Sequence, residues 1–408
     1  MTSLEPMPGQ GRPVAAPAVV ATAAAVGVGS PVATVPRKRS SLLALGIVGI
    51  SVLAILVLIV GVVFVTSLGP VAFAAAGIMA LLPLAIVLLG VNWIDRWEPE
   101  PRGILVFAFL WGAGFAVLLA LIVGSTVDSV LATISGSDGV AEFLSAVVEA
   151  PLVEEAGKGL GVLIIFFAAR KHFDSPVDGI VYAAWVAGGF AFSENVLYFG
   201  SQLLTSGGVD SDLIGIFIIR GVMSPFAHVM FTACTGIALG IVARRAGPLG
   251  AIGAFVVGLV PAMALHALWN GSLYVVDNFF GYYAVVQLPL FIGGLLLVRY
   301  LRRRESELTF ARLTEYAAAG WFSPAEVTSL ATGAGRRQAR AWAASLGLSA
   351  VMKRYTRDAT RLAFTRQRLV TGRAAAGAEA DEEALLAAIV AERAQLQAAL
   401  GTAPATQF

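Results

Sequence analysis

The chain is poor in charge. Of its 408 residues, 13% are Asp, Glu, Lys or Arg, about half the share of an ordinary soluble domain. Lysine is scarcest, occurring only at positions 38, 158, 171 and 353. The one cysteine, Cys234, excludes an internal disulfide and a cage of thiolates around a metal. It lies in an apolar run and reads as a small core residue. No His-Glu-x-x-His zinc signature is present, and no serine sits in a Gly-x-Ser-x-Gly context. No nucleotide loop, zinc knuckle or nucleic-acid signature occurs, so no nucleic-acid partner is expected.

What the chain has in quantity is apolar surface. Mean hydropathy is +0.81 and 58% of residues are hydrophobic, values that place it among integral membrane proteins. Runs of about 20 apolar residues, the length needed to cross a bilayer, recur along it. Eight spans are expected, at 42–65, 70–92, 103–125, 142–169, 178–200, 212–243, 248–272 and 281–300. Pro225 in the sixth predicts a kink.

Basic residues fall on alternate ends of these spans: Arg37-Lys38-Arg39, Arg96 and Arg102, Arg170-Lys171, Arg244-Arg245 and Arg302-Arg303-Arg304. The other connections hold Asp128, Asp138, Asp210 and Asp277 and no Lys or Arg. Cytoplasmic loops carry the cationic excess, so both termini are expected in the cytoplasm of a multi-pass cell-membrane protein. The fold class is therefore an all-α polytopic helix bundle. The N-terminal segment, residues 1–40, reads as a disordered cytoplasmic tail, its first 36 rich in Pro, Ala, Val and Gly. Residues 41–300 form the transmembrane domain. Residues 301–408 read as a helical cytoplasmic tail, with helices at 305–320, 323–346 and 380–400 and a linker at 374–380.

Against that background stands Glu154-Glu155-Ala156-Gly157-Lys158, inside the fourth span. Ionisable side chains at bilayer depth cost several kcal/mol. Either they neutralise one another in a packed bundle or they perform chemistry. Spacing of four lets Glu154 pair with Lys158, while Glu155 points about 100° away. Further polar groups follow on the next spans: Glu194 and Asn195, then Arg220, Ser224, His228 and Thr232 at every fourth position, then His266 and Asn270. At ~1.5 Å of rise per residue, these groups lie from the midplane to the outer half of the bilayer. Singly, each has a structural reading: an ion pair for Glu154 and Lys158, interhelical hydrogen bonds for Asn195 and Asn270, packing for Tyr198 and Trp269. Three carboxylates and two histidines on four consecutive spans exceed what packing requires. Such a set supports hydrolysis. A buried carboxylate can take a proton from water, and His and Asn, or a metal held by two His and a Glu, can stabilise an oxyanion.

These motifs resemble those of the PrsW-type intramembrane proteases, themselves distantly similar to the CaaX-processing and bacteriocin-processing glutamate proteases. The matching elements are Asp95-Arg-Trp-Glu-Pro-Glu-Pro101, Glu154 to Lys158, Asp178 to Tyr182 with Gly189 to Tyr198, Arg220 to Thr232, and His266 to Asn270, in the family's order. The resemblance implies an endopeptidase that cuts a membrane-anchored protein such as an anti-sigma factor. It implies Glu154 or Glu155 as general base, and His228 and His266 as metal ligands or oxyanion stabilisers, with Asn270 as a donor. Lys158, Asn195 and Arg220 would give support. Glu194 stands where relatives of the broader superfamily have His. With His228 and His266 it is a candidate ligand of one divalent metal such as zinc; a metal-free glutamate mechanism is the alternative. Two other readings use the same residues: a proton- or cation-coupled transporter, for which no internal repeat is found, and a catalytically silent membrane scaffold. Substrate identity and oligomeric state are not written in the sequence.

Overall fold

The computed structural model describes residues 39–134, 137–170, 172–243, 246–372, 374 and 377–402. Arg37-Lys38, Lys171, Arg244-Arg245 and the expected N-terminal tail lie outside the described residues. No strand occurs among the described residues, and the chain is an all-α polytopic bundle. It divides into two compact units: 39–96 with 100–298, and 97–99 with 299–402.

The first unit opens with α1 (Arg39–Leu68) and α2 (Pro70–Ile94), separated by Gly69 at φ 78°. Helix α3 runs over 102–134 and α4 over 138–168. Helix α5 is Pro176–Ser206, α6 covers 211–223, α7 is Ala227–Val242, and α8 is Pro248–Val275. Helix α9 begins at Phe279 and runs to Ala318, crossing into the second unit. Proline at the first helical turn starts α2, α5 and α8, where its missing N–H is no loss. Ser175 and Asp178 close a capping box at the start of α5, and Gly207 ends it with φ 70°.

Seven helices among the described residues are long and apolar enough to cross a membrane. They match seven of the eight expected spans. The remaining one, α4, is helical throughout, but Ala150–Ala168 carries Glu154, Glu155 and Lys158. Its charge, not its length, sets it apart.

Helix α5 is the axis of this unit. It is buried over most of its length and packs against α2, α3 and α7. Glycine makes that approach possible. A Cβ on Gly179 would stand 2.0 Å from the Gly236 carbonyl oxygen of α7, and one on Gly189 would stand 2.1 Å from the Phe109 carbonyl oxygen of α3. No side chain can occupy such a gap. The backbones are close enough that dispersion between helices replaces the hydrophobic drive that lipid cannot supply.

Four π-helical segments interrupt the helices among the described residues: Trp111–Ala116, Ser145–Glu149, Ile218–Met223 and Tyr283–Gln287. Each widens a turn and redirects the side chains after it. The kink expected at Pro225 is a full break. Residues 224–226 are not helical, since proline has no N–H to give and its ring clashes with the preceding turn.

The second unit continues α9 and adds α10 (Pro324–Ala331), α11 (Gly333–Ser345), α12 (Ser349–Val370) and α13 (Ala378–Thr402). Its core includes Leu313, Tyr316, Leu330, Tyr355, Leu362 and Ile389. The helix expected over 323–346 is two, divided at Thr332, whose hydroxyl accepts from the Gly335 amide at 3.0 Å and caps α11. Helix α12 was not anticipated. It forms because Thr356, Ala359, Leu362 and Ala363 make a buried face between charged ones. Arg336 is buried with its guanidinium 3.4 Å from the Trp97 ring centre, and it donates to the carbonyls of Leu330 and Trp97.

Two outcomes are expected. Gly179→Ala forces α5 and α7 apart and lowers thermal stability in detergent by about 1–3 kcal/mol or more, whereas Gly253→Ala, with nothing within 4 Å of its new Cβ, does not. In the second unit, burial alone would raise the Glu326 carboxyl. Hydrogen bonds from the Ser323 amide and Tyr355, with Arg393 at 2.7 Å, hold it below the ordinary value of 4.5 instead. A depressed carboxyl stabilises above the unfolded pKa and loses that contribution as pH falls through it. Glu326→Gln therefore speeds hydrogen exchange of α10 and α13 at pH 7, and the difference from the parent shrinks as pH falls below about 4.5.

Candidate functional site

Four spans of the first unit deliver the expected ionisable groups to one place. Helix α4 carries Glu154, Glu155 and Lys158; α5 carries Glu194; the broken span α6–α7 carries Arg220 and His228; α8 carries His266.

Lys158 sits at the middle. Its ammonium lies 2.6 Å from Glu155 Oε1, 3.4 Å from Glu154 Oε2 and 3.1 Å from His228 Nδ1. The Phe190 ring centre is 4.2 Å away on another side. The pairing expected from spacing was Glu154 with Lys158; the closer partner is Glu155, three positions away. Glu155 takes further donors. The Thr232 hydroxyl donates to Oε2 at 2.8 Å, and His266 Nδ1 lies 3.1 Å from Oε1. Glu154 is less occupied. Its Oε2 faces Lys158 and lies 3.8 Å from His266 Nε2, and its Oε1 makes no bond among the described residues.

A second group flanks the first. Glu194 Oε2 accepts from Arg220 Nη2 at 2.5 Å and lies 2.8 Å from His228 Nε2. Arg220 Nε donates to Asn195 Oδ1 at 2.9 Å, and its guanidinium lies 4.1 Å from the Tyr198 ring centre. His228 joins the two groups, with Lys158 on one ring nitrogen and Glu194 on the other. Its ring meets that of His266 edge to face, centres 5.3 Å apart. His266 also stacks on Phe231 at 5.0 Å.

Some expected residues go elsewhere. Ser224 was placed on one polar stripe with Arg220, His228 and Thr232. Ser224 does border the same cavity as Arg220 and His228, but its hydroxyl is turned to the Ile219 carbonyl, to which it donates at 2.6 Å. Asn270, expected as an oxyanion donor, gives its amide to the Ala146 carbonyl at 2.8 Å. It ties α8 to the π-helical turn ahead of the carboxylates. The expected ligand set of His228, His266 and Glu194 also changes. Glu194 is occupied by Arg220 and His228, and the carboxylate that gathers with both imidazoles is Glu154.

One ligand atom from each of Glu154, His228 and His266 lies within 4.8 Å of the others. Two imidazoles and a carboxylate suit zinc. Each imidazole also has a carboxylate on its far nitrogen, Glu155 for His266 and Glu194 for His228. Such outer carboxylates orient metal-bound histidines. The donor types therefore suit a divalent metal, for which the Lys158 ammonium, 3.1 Å from the His228 nitrogen that Glu194 leaves open, would have to withdraw.

Sequence reasoning missed the part played by Thr232, Phe190 and Phe231. Thr232 carried a signal, four positions after His228. The aromatic neighbours carried none, because an apolar residue in a span looks the same whether it faces lipid or an imidazole.

Residues 100–294 match the family model described as PrsW family intramembrane metalloprotease. The chain is 34% identical over 160 residues to Protease PrsW of Clostridioides difficile (strain 630), covering 38% of this chain and 62% of that protein. It is 34% identical over 148 residues to Protease PrsW of Geobacillus kaustophilus (strain HTA426), covering 36% and 57%. The chain thus spans about three-fifths of the length of these curated relatives. No solved structure gives a significant match. The resemblance read from the motifs is borne out, and every residue of the cluster lies inside the matched segment.

The geometry yields an expected outcome for stability. Removing one partner of a buried ion pair costs about 3–5 kcal/mol, because the other charge is left unpaired. Lys158→Met is therefore expected to lower the thermal midpoint in detergent strongly. The double variant Lys158→Met, Glu155→Gln recovers part of that loss, and strict additivity of the two single effects would refute the coupling.

Proposed function

We propose, from the similarity of residues 100–294 to the PrsW intramembrane metalloproteases, that this chain is an intramembrane endopeptidase. It hydrolyses a peptide bond of a membrane-anchored protein, of the anti-sigma-factor type that the resemblance implies. The observation that carries this reading is the meeting of Glu154, Glu155, His228 and His266 around Lys158 inside the bundle.

Glu154 is the general base in this reading. It is the carboxylate that gathers with both imidazoles, and its Oε1 takes the proton of the attacking water. The water oxygen bonds to the peptide carbonyl carbon, the C–N bond breaks, and the proton passes to the leaving amine. Glu155 is a positioning residue, saturated by Lys158, Thr232 and His266. It orients the His266 ring from behind. Glu194, held by Arg220, does the same for His228. Glu154, His228 and His266 are the residues that would hold a divalent metal, which supplies carbonyl polarisation and an acidified water when bound. The positive-inside pattern puts both termini in the cytoplasm in this reading.

The test is cleavage of tagged single-span reporter proteins co-reconstituted with the purified chain. Glu154→Gln and His228→Ala are each expected to lower kcat by about 10²–10⁴-fold, with insertion retained and the thermal midpoint lowered by less than in Lys158→Met. A strong chelator reduces cleavage reversibly where a metal is used. Undiminished cleavage by Glu154→Gln would sink the assignment.

A further inference from the structure

A hydrolase inside a bilayer must be supplied with water, its second substrate. The inference below rests on the hydrolytic reading for its purpose and on geometry for its location.

The members of the cluster differ in exposure. The side chains of Lys158 and Glu155 are 0% exposed and that of His266 is 3% exposed. His228 is 12% exposed, Glu194 14% and Arg220 19%. Glu154, at 11%, shares this partial exposure, so the cluster is sealed around Lys158, Glu155 and His266 and opens toward Glu154, His228, Glu194 and Arg220. A cavity lies on that side. Asn195, Arg220, Ser224 and His228 line it, with Pro225 and Trp269 closing its apolar walls. It offers ≈ 20 Å³ to the centres of water molecules, and about 10–15 Å³ on that measure holds one. A cavity of that size is wet only where polar groups line it, and four do.

The break after Met223 borders this space, since Ser224 and Pro225, both outside the helix, line it. Arg220 points to the occupant. Two of its nitrogens are bound, by Asn195 and Glu194, while Nη1 makes no bond among the described residues. Arg220 lines the void, and a guanidinium with five N–H donors has some left to offer a water there. His228 lines the cavity and also has a ligand atom within 4.8 Å of one on Glu154. A water in the cavity is thus one side chain from the carboxylate that is to deprotonate it.

We propose that the Pro225 break is the entry port for the hydrolytic water, and that Asn195, Arg220, Ser224 and His228 form its binding site beside the cluster. The port makes two demands: solvent reaches positions 191 and 224, and filling the cavity slows turnover without weakening substrate binding.

Cys234 is the only native thiol, so Cys234→Ala gives a thiol-free background. In that background Ser224→Cys and Ala191→Cys each report on the cavity, and Thr235→Cys, at a fully buried position, reports on the sealed interior. The probe is the silver ion, a thiol reagent close to water in size, added to the full chain in lipid vesicles. Positions 224 and 191 are expected to react on the order of tenfold faster than 235, since modification follows access. Ala191→Leu is expected to lower kcat with KM unchanged, the pattern of a loss confined to the chemical step. Reaction at 224 and 191 no faster than at 235, in variants that keep the parent's thermal midpoint, would overturn the port. So would unchanged kcat in Ala191→Leu. The labelling needs no protein substrate: rapid labelling in a chain that cleaves no reporter supports the port while removing the peptidase reading.

Discussion

A lysine ammonium sealed from solvent among two glutamates and a histidine is the constraint from which the rest of the first unit follows. At bilayer depth no water is at hand to dissipate charge, so each charge must be answered by a neighbour held in place. Lys158 answers Glu154 and Glu155. Thr232 and His266 complete Glu155. Arg220 answers Glu194, which in turn fixes His228. Because these partners arrive from four spans, the spans must come close, and the glycines of α5 provide the closeness. The contacts of Gly179 with Gly236 and of Gly189 with Phe109 belong to the architecture of the site as much as to that of the bundle.

Burial on this scale also sorts the two glutamates, which spacing alone could not. Adjacent residues on a helix diverge by about 100°, so one of the pair turns into the α7–α8 interface and collects donors there. The other keeps an oxygen unclaimed. Glu194 differs from Glu154 in another way: an arginine and a histidine both hold its Oε2. The three carboxylates are alike in sequence and differ only in their company.

Much of the bundle was legible because lipid imposes a simple rule on sequence. Long apolar runs became helices close to the expected limits, and α4 stood out for the very charges that drew attention to it. Pro225 announced a disturbance, since its covalent geometry acts locally. What stayed hidden depended on tertiary choice. Counting by fours put Ser224 beside His228, and the two do border one cavity, but the wide turn at Ile218–Met223 gives the Ser224 hydroxyl the Ile219 carbonyl as its partner. Asn270 had the chemistry of an oxyanion donor, and only the fold reveals the Ala146 carbonyl at hand. The aromatic rings against His266 and Lys158 could not be told from lipid-facing ones. In the second unit α12 escaped notice because the few large apolar residues of its buried face, Met352, Tyr355, Leu362 and Phe364, are diluted by alanine, threonine and arginine.

The π-helical turn at Ile218–Met223 gives α6 one residue more than an ordinary helix would need to span the same rise. Such a surplus is usually housed in loops, where length varies freely between relatives. Here it is housed in the membrane, in the very turn that carries the guanidinium securing Glu194. Loss of a single codon from this stretch would leave hydropathy and span count untouched, yet it would swing Arg220 roughly a quarter-turn around its axis. The chain is therefore more sensitive to length than to composition at this point, and alignments that slide a gap across it would misplace the arginine.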